Sequence, residues 1–327
     1  MVMYDGGFER NGRTVNDSQA RPKRKRPQWV DPRALPPLPP TPRERLHHYL
    51  LLIRFHRPIG TLLLLWPCLW ALWIAADGLP DPLVLVVFVA GTFLMRSAGC
   101  AINDYADRDF DPHVARTRER PLAAGLISPR EALYVAGGLS LVAFGLVLLM
   151  NTLTILLSVV GLLLAVTYPF AKRYTHLPQV HLGAAFGWAV PMAFAAQANA
   201  LPPTAWLLYL AAILWATIYD TMYAMADRPE DLKIGVKSTA ILFGDADLFI
   251  LAVLQGLFTI TLAVVGHQAG LGWPFAIGLM TAVGFMVYHQ RLIADREPAV
   301  CFRAFLNNNW LGIAVTVGVL ADYALRT

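Results

Sequence analysis

Nine apolar runs, each long enough to cross a bilayer, fill the chain from about residue 48 onward and leave it few folds to choose from. They cover approximately residues 58–76, 82–102, 132–150, 153–170, 180–198, 204–222, 247–266, 272–290 and 304–323. Hydrocarbon offers no partner to a backbone N–H or C=O, so a run inside it must satisfy its own, as a helix does. Stretches 141–150 and 156–166 carry no charge on any face, which argues against amphipathic helices on a soluble protein. Charged residues make up 15% of the chain, against about 25% in soluble domains. The predicted fold class is therefore all-α, a multi-pass transmembrane helical bundle.

The loops set its direction. Those at 77–82, 151, 197–204 and 266–273 contain no lysine or arginine. The alternate loops hold Arg108, Arg116, Arg118, Arg120 and Arg130, then Lys172 and Arg173, then Arg228, Lys233 and Lys237, then Arg291, Arg296 and Arg303. The positive-inside rule makes this second set cytoplasmic, together with the N-terminus, and an odd span number puts the C-terminus outside. Residues 1–45 read as a disordered proline- and basic-rich tail, with no signal-peptide core, ahead of a membrane domain at 46–327. Its cluster from Arg21 to Arg26 suits anionic lipid headgroups. Most of the net charge of +5 is local to it, so nucleic acid is not an expected partner. Cys68, Cys100 and Cys301 have no paired spacing and read as buried thiols. His113, His176, His181 and His289 read as scattered interfacial residues.

Acidic residues concentrate in two cytoplasmic regions. In the first, Asn103, Asp107 and Asp111 are spaced i, i+4, i+8, so a helix continuing from the second span stacks them on one face until Pro112 ends it. In the second, Tyr223, Asp227 and Asp231 repeat the step, and Pro229 is expected to break and restart the helix between the two aspartates. Like charges stacked near hydrocarbon need compensation. Magnesium fits, because it takes one or two carboxylates and leaves other positions for water and substrate phosphates. Two such sites would bridge a diphosphate. Arg108, Lys233 and Lys237 lie nearest the aspartates and are candidate phosphate ligands, with Lys172 and Arg173 at the end of the fourth span. Tyr105, Tyr168 and Tyr223 are candidates for sheltering an allylic cation.

Asn103-x3-Asp107-x3-Asp111 and Tyr223-Ala-x2-Asp227-x3-Asp231 resemble the paired motifs of the UbiA superfamily of intramembrane prenyltransferases. Four further stretches resemble its 4-hydroxybenzoate polyprenyltransferase branch: Arg57-Pro-Ile-Gly-Thr-Leu-Leu-Leu-Leu-Trp-Pro67, Tyr168-Pro-Phe-Ala-Lys-Arg-Tyr-Thr-His-Leu-Pro-Gln179, 231–244 and Phe305-Leu-Asn-Asn-Asn-Trp310. The resemblance covers about residues 45–325. It implies nine helices around a central cavity with a cytoplasmic cap, and a polyprenyl group passed from its diphosphate to 4-hydroxybenzoate in ubiquinone biosynthesis. It implies Asp107, Asp111, Asp227 and Asp231 as catalytic magnesium ligands, with Asn103 and Tyr223 supporting them. Arg108, Lys172, Arg173, Lys233 and Lys237 would bind diphosphate or the benzoate carboxylate, Arg173 being the choice for the carboxylate. The implied location is a bacterial inner membrane. Other acceptors (haem, homogentisate, a naphthoate, a chlorophyllide) remain open within the superfamily, and an ion-coupled transporter is the alternative outside it.

Overall fold

The computed structural model describes residues 41–113 and 117–326. The tail at 1–40 and Arg116 lie outside the described residues. Among those described, regular structure is entirely helical. The helices are α1 (Pro42–Leu52), α2 (Ile59–Ala76), α3 (Pro82–Asp107), α4 (Pro129–Val147), α5 (Thr152–Tyr174), α6 (Pro178–Gly187), α7 (Ala189–Ala198), α8 (Pro203–Ile234), α9 (Thr239–Phe243), α10 (Asp247–Gln268), α11 (Trp273–Leu292) and α12 (Pro298–Arg326). All nine apolar runs fall on helix, and seven helices are long and apolar enough to span a membrane singly. The chain is an integral membrane protein.

Local chemistry explains the boundaries. Ser128 and Glu131 form a capping box on α4, and Asn151 accepts from the Thr154 N–H to start α5. Thr41 and Glu44 do the same for α1, which opens inside the segment expected to be tail. The fifth run is two half-helices, α6 and α7, meeting at Trp188. Pro191 lacks the N–H that would bond the Gly187 carbonyl, so the ladder is interrupted there.

Close packing is bought with small residues. Gly183 of α6 lies so near α8 that a Cβ would sit 2.9 Å from the Ile213 carbonyl oxygen. Gly278 of α11 and Gly318 of α12 meet similarly, a Cβ on Gly278 falling 2.6 Å from the Ala314 oxygen. Indole N–H groups add polar ties across the bundle: Trp215 donates to Asn308 at 3.1 Å, Trp66 to Asn309 at 3.0 Å and Trp70 to Thr316 at 2.7 Å. These bonds fix α12 against α2 and α8, which sets where Phe302 and Phe305 point. All three cysteines are buried and free. His289, expected at an interface, is instead fully enclosed beside Phe285 and Tyr288.

Candidate functional site

Two helix ends face one another across a cavity of about 220 Å³. From α3 and the turn after it come Asn103, Asp107 and Asp111; from α8 come Tyr223, Asp227 and Asp231. Lys172 and Lys237 complete the wall. All four carboxylates of the two motifs thus line one space.

The first motif departs from the expected helical stack. α3 ends at Asp107, and Asp111 opens a 3-10 turn. Pro112 disfavours helical geometry at the residue before it, and the Phe110 N–H closes a turn on the Asp107 carbonyl at 2.8 Å. Asp111 still faces the cavity because Arg120 holds it at 2.8 Å. The second motif departs in the opposite sense: α8 runs unbroken through Pro229 to Ile234. The neighbouring Arg228 donates to the Ala240 carbonyl and to Asp247, each at 2.6 Å. Asp247 is wholly buried and also receives Arg296 at 2.8 Å. This anchorage holds the helix together where one backbone donor is missing.

Asp107 is the most constrained carboxylate. Its Oδ2 accepts from Lys172 at 2.5 Å and from the Asn103 amide at 3.2 Å. Its Oδ1 is buried and has no hydrogen-bond partner. A buried carboxylate oxygen without a donor is costly, and a cation in the cavity would satisfy it. Among the described residues no three acidic, histidine or cysteine side chains converge on one point. The carboxylates instead stand as two pairs on opposite walls, a donor set that suits magnesium better than an all-protein metal cage. Burial pushes the Asp111 carboxyl up, against the pull of Arg120 and with Asp107 and Asp104 adding to the rise.

Asp104, within the first motif's sequence, turns away from the cavity. It is fully buried between Arg54, at 2.6 Å, and Arg120, at 3.3 Å. Three predicted basic residues lie elsewhere too. Arg108 donates to the Tyr105 carbonyl at 2.9 Å and sits over that tyrosine's ring. Arg173 is exposed, donates to the Ala106 carbonyl and covers Phe110 and Phe170. Lys233 is exposed, and none of the three lines the cavity.

A second cavity, of about 710 Å³, opens beside the first. Its walls carry Tyr168, Phe186, Tyr219, Tyr223, Phe302 and Phe305. The Tyr223 and Phe305 rings are 5.0 Å apart and those of Tyr168 and Phe186 5.8 Å apart. Arg96 is set into this aromatic wall, donating to Cys100, while its buried Nε has no partner. Gly60 leaves room for it, since a Cβ there would fall 2.6 Å from the guanidinium. Arg96 and Asp220, which also lines this cavity, stand outside both four-residue motifs. Both are charges inside predicted spans, and that alone marks a residue for function.

Residues 64–312 match the UbiA prenyltransferase family. The chain belongs to that family. Two relatives, from Alkalilimnicola ehrlichii and Nitrosococcus oceani, carry the name 4-hydroxybenzoate octaprenyltransferase. The first is 63% identical over 283 residues, covering 86% of this chain and 97% of the relative. The second is 61% identical over 281 residues, covering 86% and 99%. The apo structure of a UbiA homolog from Aeropyrum pernix K1 aligns with a TM-score of 0.71 at 26% identity, over 82% of this chain and 98% of that one. A UbiA homolog from Archaeoglobus fulgidus, solved with GPP and Mg2+, shares the fold at a TM-score of 0.63 and 20% identity, over 84% and 99%.

Proposed function

We propose that this UbiA protein transfers a polyprenyl group from its diphosphate to the ring of 4-hydroxybenzoate, as residues 46–327 of a bacterial inner-membrane protein whose N-terminus is cytoplasmic. One observation carries the reading: two carboxylate pairs share a polar cavity that opens directly onto an aromatic-walled one. The relatives' shared name supports the choice of acceptor.

Asp107 and Asp111 on one wall, and Asp227 and Asp231 on the other, would hold magnesium. When bound, magnesium neutralises the charge gathering on the diphosphate as the C–O bond breaks. Lys172, Lys237 and Arg120 border the same space and add cations to the departing oxygens. Asn103 orients Asp107 through its amide. Ring faces of Tyr168 and Tyr223, which line both cavities, shelter an allylic cation. The isoprenoid tail is apolar, and the larger cavity together with surrounding membrane lipid receives it. Arg96 is the acceptor's carboxylate ligand: it lies in the larger cavity with a donor to spare, and a guanidinium reads a carboxylate through paired N–H bonds. Acceptor and donor then meet between the two cavities.

Membranes containing the protein, supplied with 4-hydroxybenzoate, a polyprenyl diphosphate and magnesium, are expected to form the 3-polyprenyl product, read by mass spectrometry. Asp107→Ala and Asp227→Ala each abolish it. Wild-type turnover in both variants would sink the proposal.

A further inference from the structure

Prenyl transfer to an aromatic ring has a proton to place, and magnesium would occupy the two carboxylate pairs. The allylic C–O bond breaks with its electron pair going to the diphosphate oxygen. A ring π pair then forms the new C–C bond and leaves a cationic ring. Aromaticity returns when the C–H pair at the substituted carbon falls back into the ring and the proton departs. The acceptor for that proton must face the space where donor and acceptor meet.

Six described residues line both cavities: Asn103, Arg120, Tyr168, Leu182, Asp220 and Tyr223. They comprise an amide, a guanidinium, two phenols, an aliphatic chain and one carboxylate. From this set, and resting on the transferase reading above, we propose that Asp220 is the catalytic base that takes the ring proton. Its place on α8 separates it from Asp227 and Asp231. Asp220, Tyr223 and Asp227 stand at i, i+3 and i+7 on the cavity face of α8, which puts Asp220 about 10 Å deeper along the helix than Asp227 at 1.5 Å per residue. Magnesium contacts are about 2 Å long, so an ion held by Asp227 and Asp231 is out of its reach. Asp220 shares the lining of the larger cavity with Tyr168, Tyr219 and Tyr223, so it stands beside the aromatic wall. A carboxylate at this depth is costly to keep in a span, and its chemistry is the one step the rest of the site leaves unassigned.

The test is a deuterium isotope effect. Purified protein is assayed with 4-hydroxybenzoate carrying either hydrogen or deuterium at ring positions 3 and 5. In Asp220→Asn, turnover is expected to fall about 10²–10⁴-fold, the usual share of a general base, while the KM values for both substrates and for magnesium hold. The rate ratio between light and heavy acceptor should grow well above its wild-type value, because proton loss becomes limiting. Asp220→Glu, which keeps a carboxylate, should recover part of the turnover and bring the ratio back toward wild type. It also serves if the asparagine variant does not fold. Wild-type turnover in Asp220→Asn overturns the assignment in favour of the leaving diphosphate or water. So does lost turnover with raised KM values and an unchanged isotope ratio, which makes Asp220 a binding group. Absence of prenylated 4-hydroxybenzoate from the wild-type protein would instead refute the transferase reading itself.

Discussion

Asp104 belongs to the first acidic motif by sequence but to the scaffold by structure, and Asp104→Ala separates the two. Its carboxylate is fully buried and receives Arg54 through two contacts, at 2.6 and 3.1 Å, and Arg120 at 3.3 Å. Removing one partner of a buried ion pair costs about 3–5 kcal/mol, because the remaining charge is left uncompensated. The Arg54 and Arg120 side chains keep 15% and 20% of their exposure, so some water still reaches them and the lower end, about 3 kcal/mol, applies. At about 2.1 cal/mol/K of unfolding entropy per residue, 1 kcal/mol moves the melting temperature of a chain of 327 residues by about 1.5 °C, giving a drop of about 4 °C or more. Thermal unfolding in detergent micelles measures it, alongside the magnesium concentration that half-saturates turnover of the protein still folded. The expected outcome is a lowered melting temperature with the magnesium requirement little changed, since Asp107 and Asp111 keep their own contacts to Lys172 and Arg120. A wild-type melting curve combined with a lost magnesium response would refute the reasoning and put Asp104 among the metal ligands.

Gly278→Val forces atoms into a contact between two backbones, α11 and α12, and overpacking of this kind costs about 1–3 kcal/mol. A lower melting temperature in detergent is expected, and an unchanged one would contradict the close helix approach. Arg96→Gln should raise the KM for 4-hydroxybenzoate about tenfold or more, the effect of losing a charge-assisted bond of about 1.5–3 kcal/mol. Arg173→Gln should leave that KM near wild type; the reverse result would return the carboxylate to Arg173.

The distribution of legible and illegible features follows from the range of the forces involved. Apolar runs and loop charges are local facts, and a bilayer constrains each run separately, so helices and their order could be read residue by residue. The pairing of Asp107 with Asp227 was legible for a similar reason: each motif closes a span on the same side, and matching spacing reveals matching roles. Pro229 misled the reading because its missing hydrogen bond is a local cost, outweighed by Arg228 reaching Asp247 and the Ala240 carbonyl from a distant part of the chain. Asp111 lies off the helix yet on the cavity because Arg120, nine residues away, holds it there.

By itself, the sequence determined an all-helical membrane protein with two acidic motifs on one side, since those follow from hydropathy and spacing alone. Only the tertiary structure decided which charges face the site. Arg108, Asp104 and Lys233 sit near a motif in sequence and point elsewhere, as does Arg173 at the end of α5, whereas Arg96 and Asp220 lie within apolar spans and line the cavities. The physical reason is that a side chain's direction depends on the helix across from it, and the sequence of one helix does not state where its partner will stand.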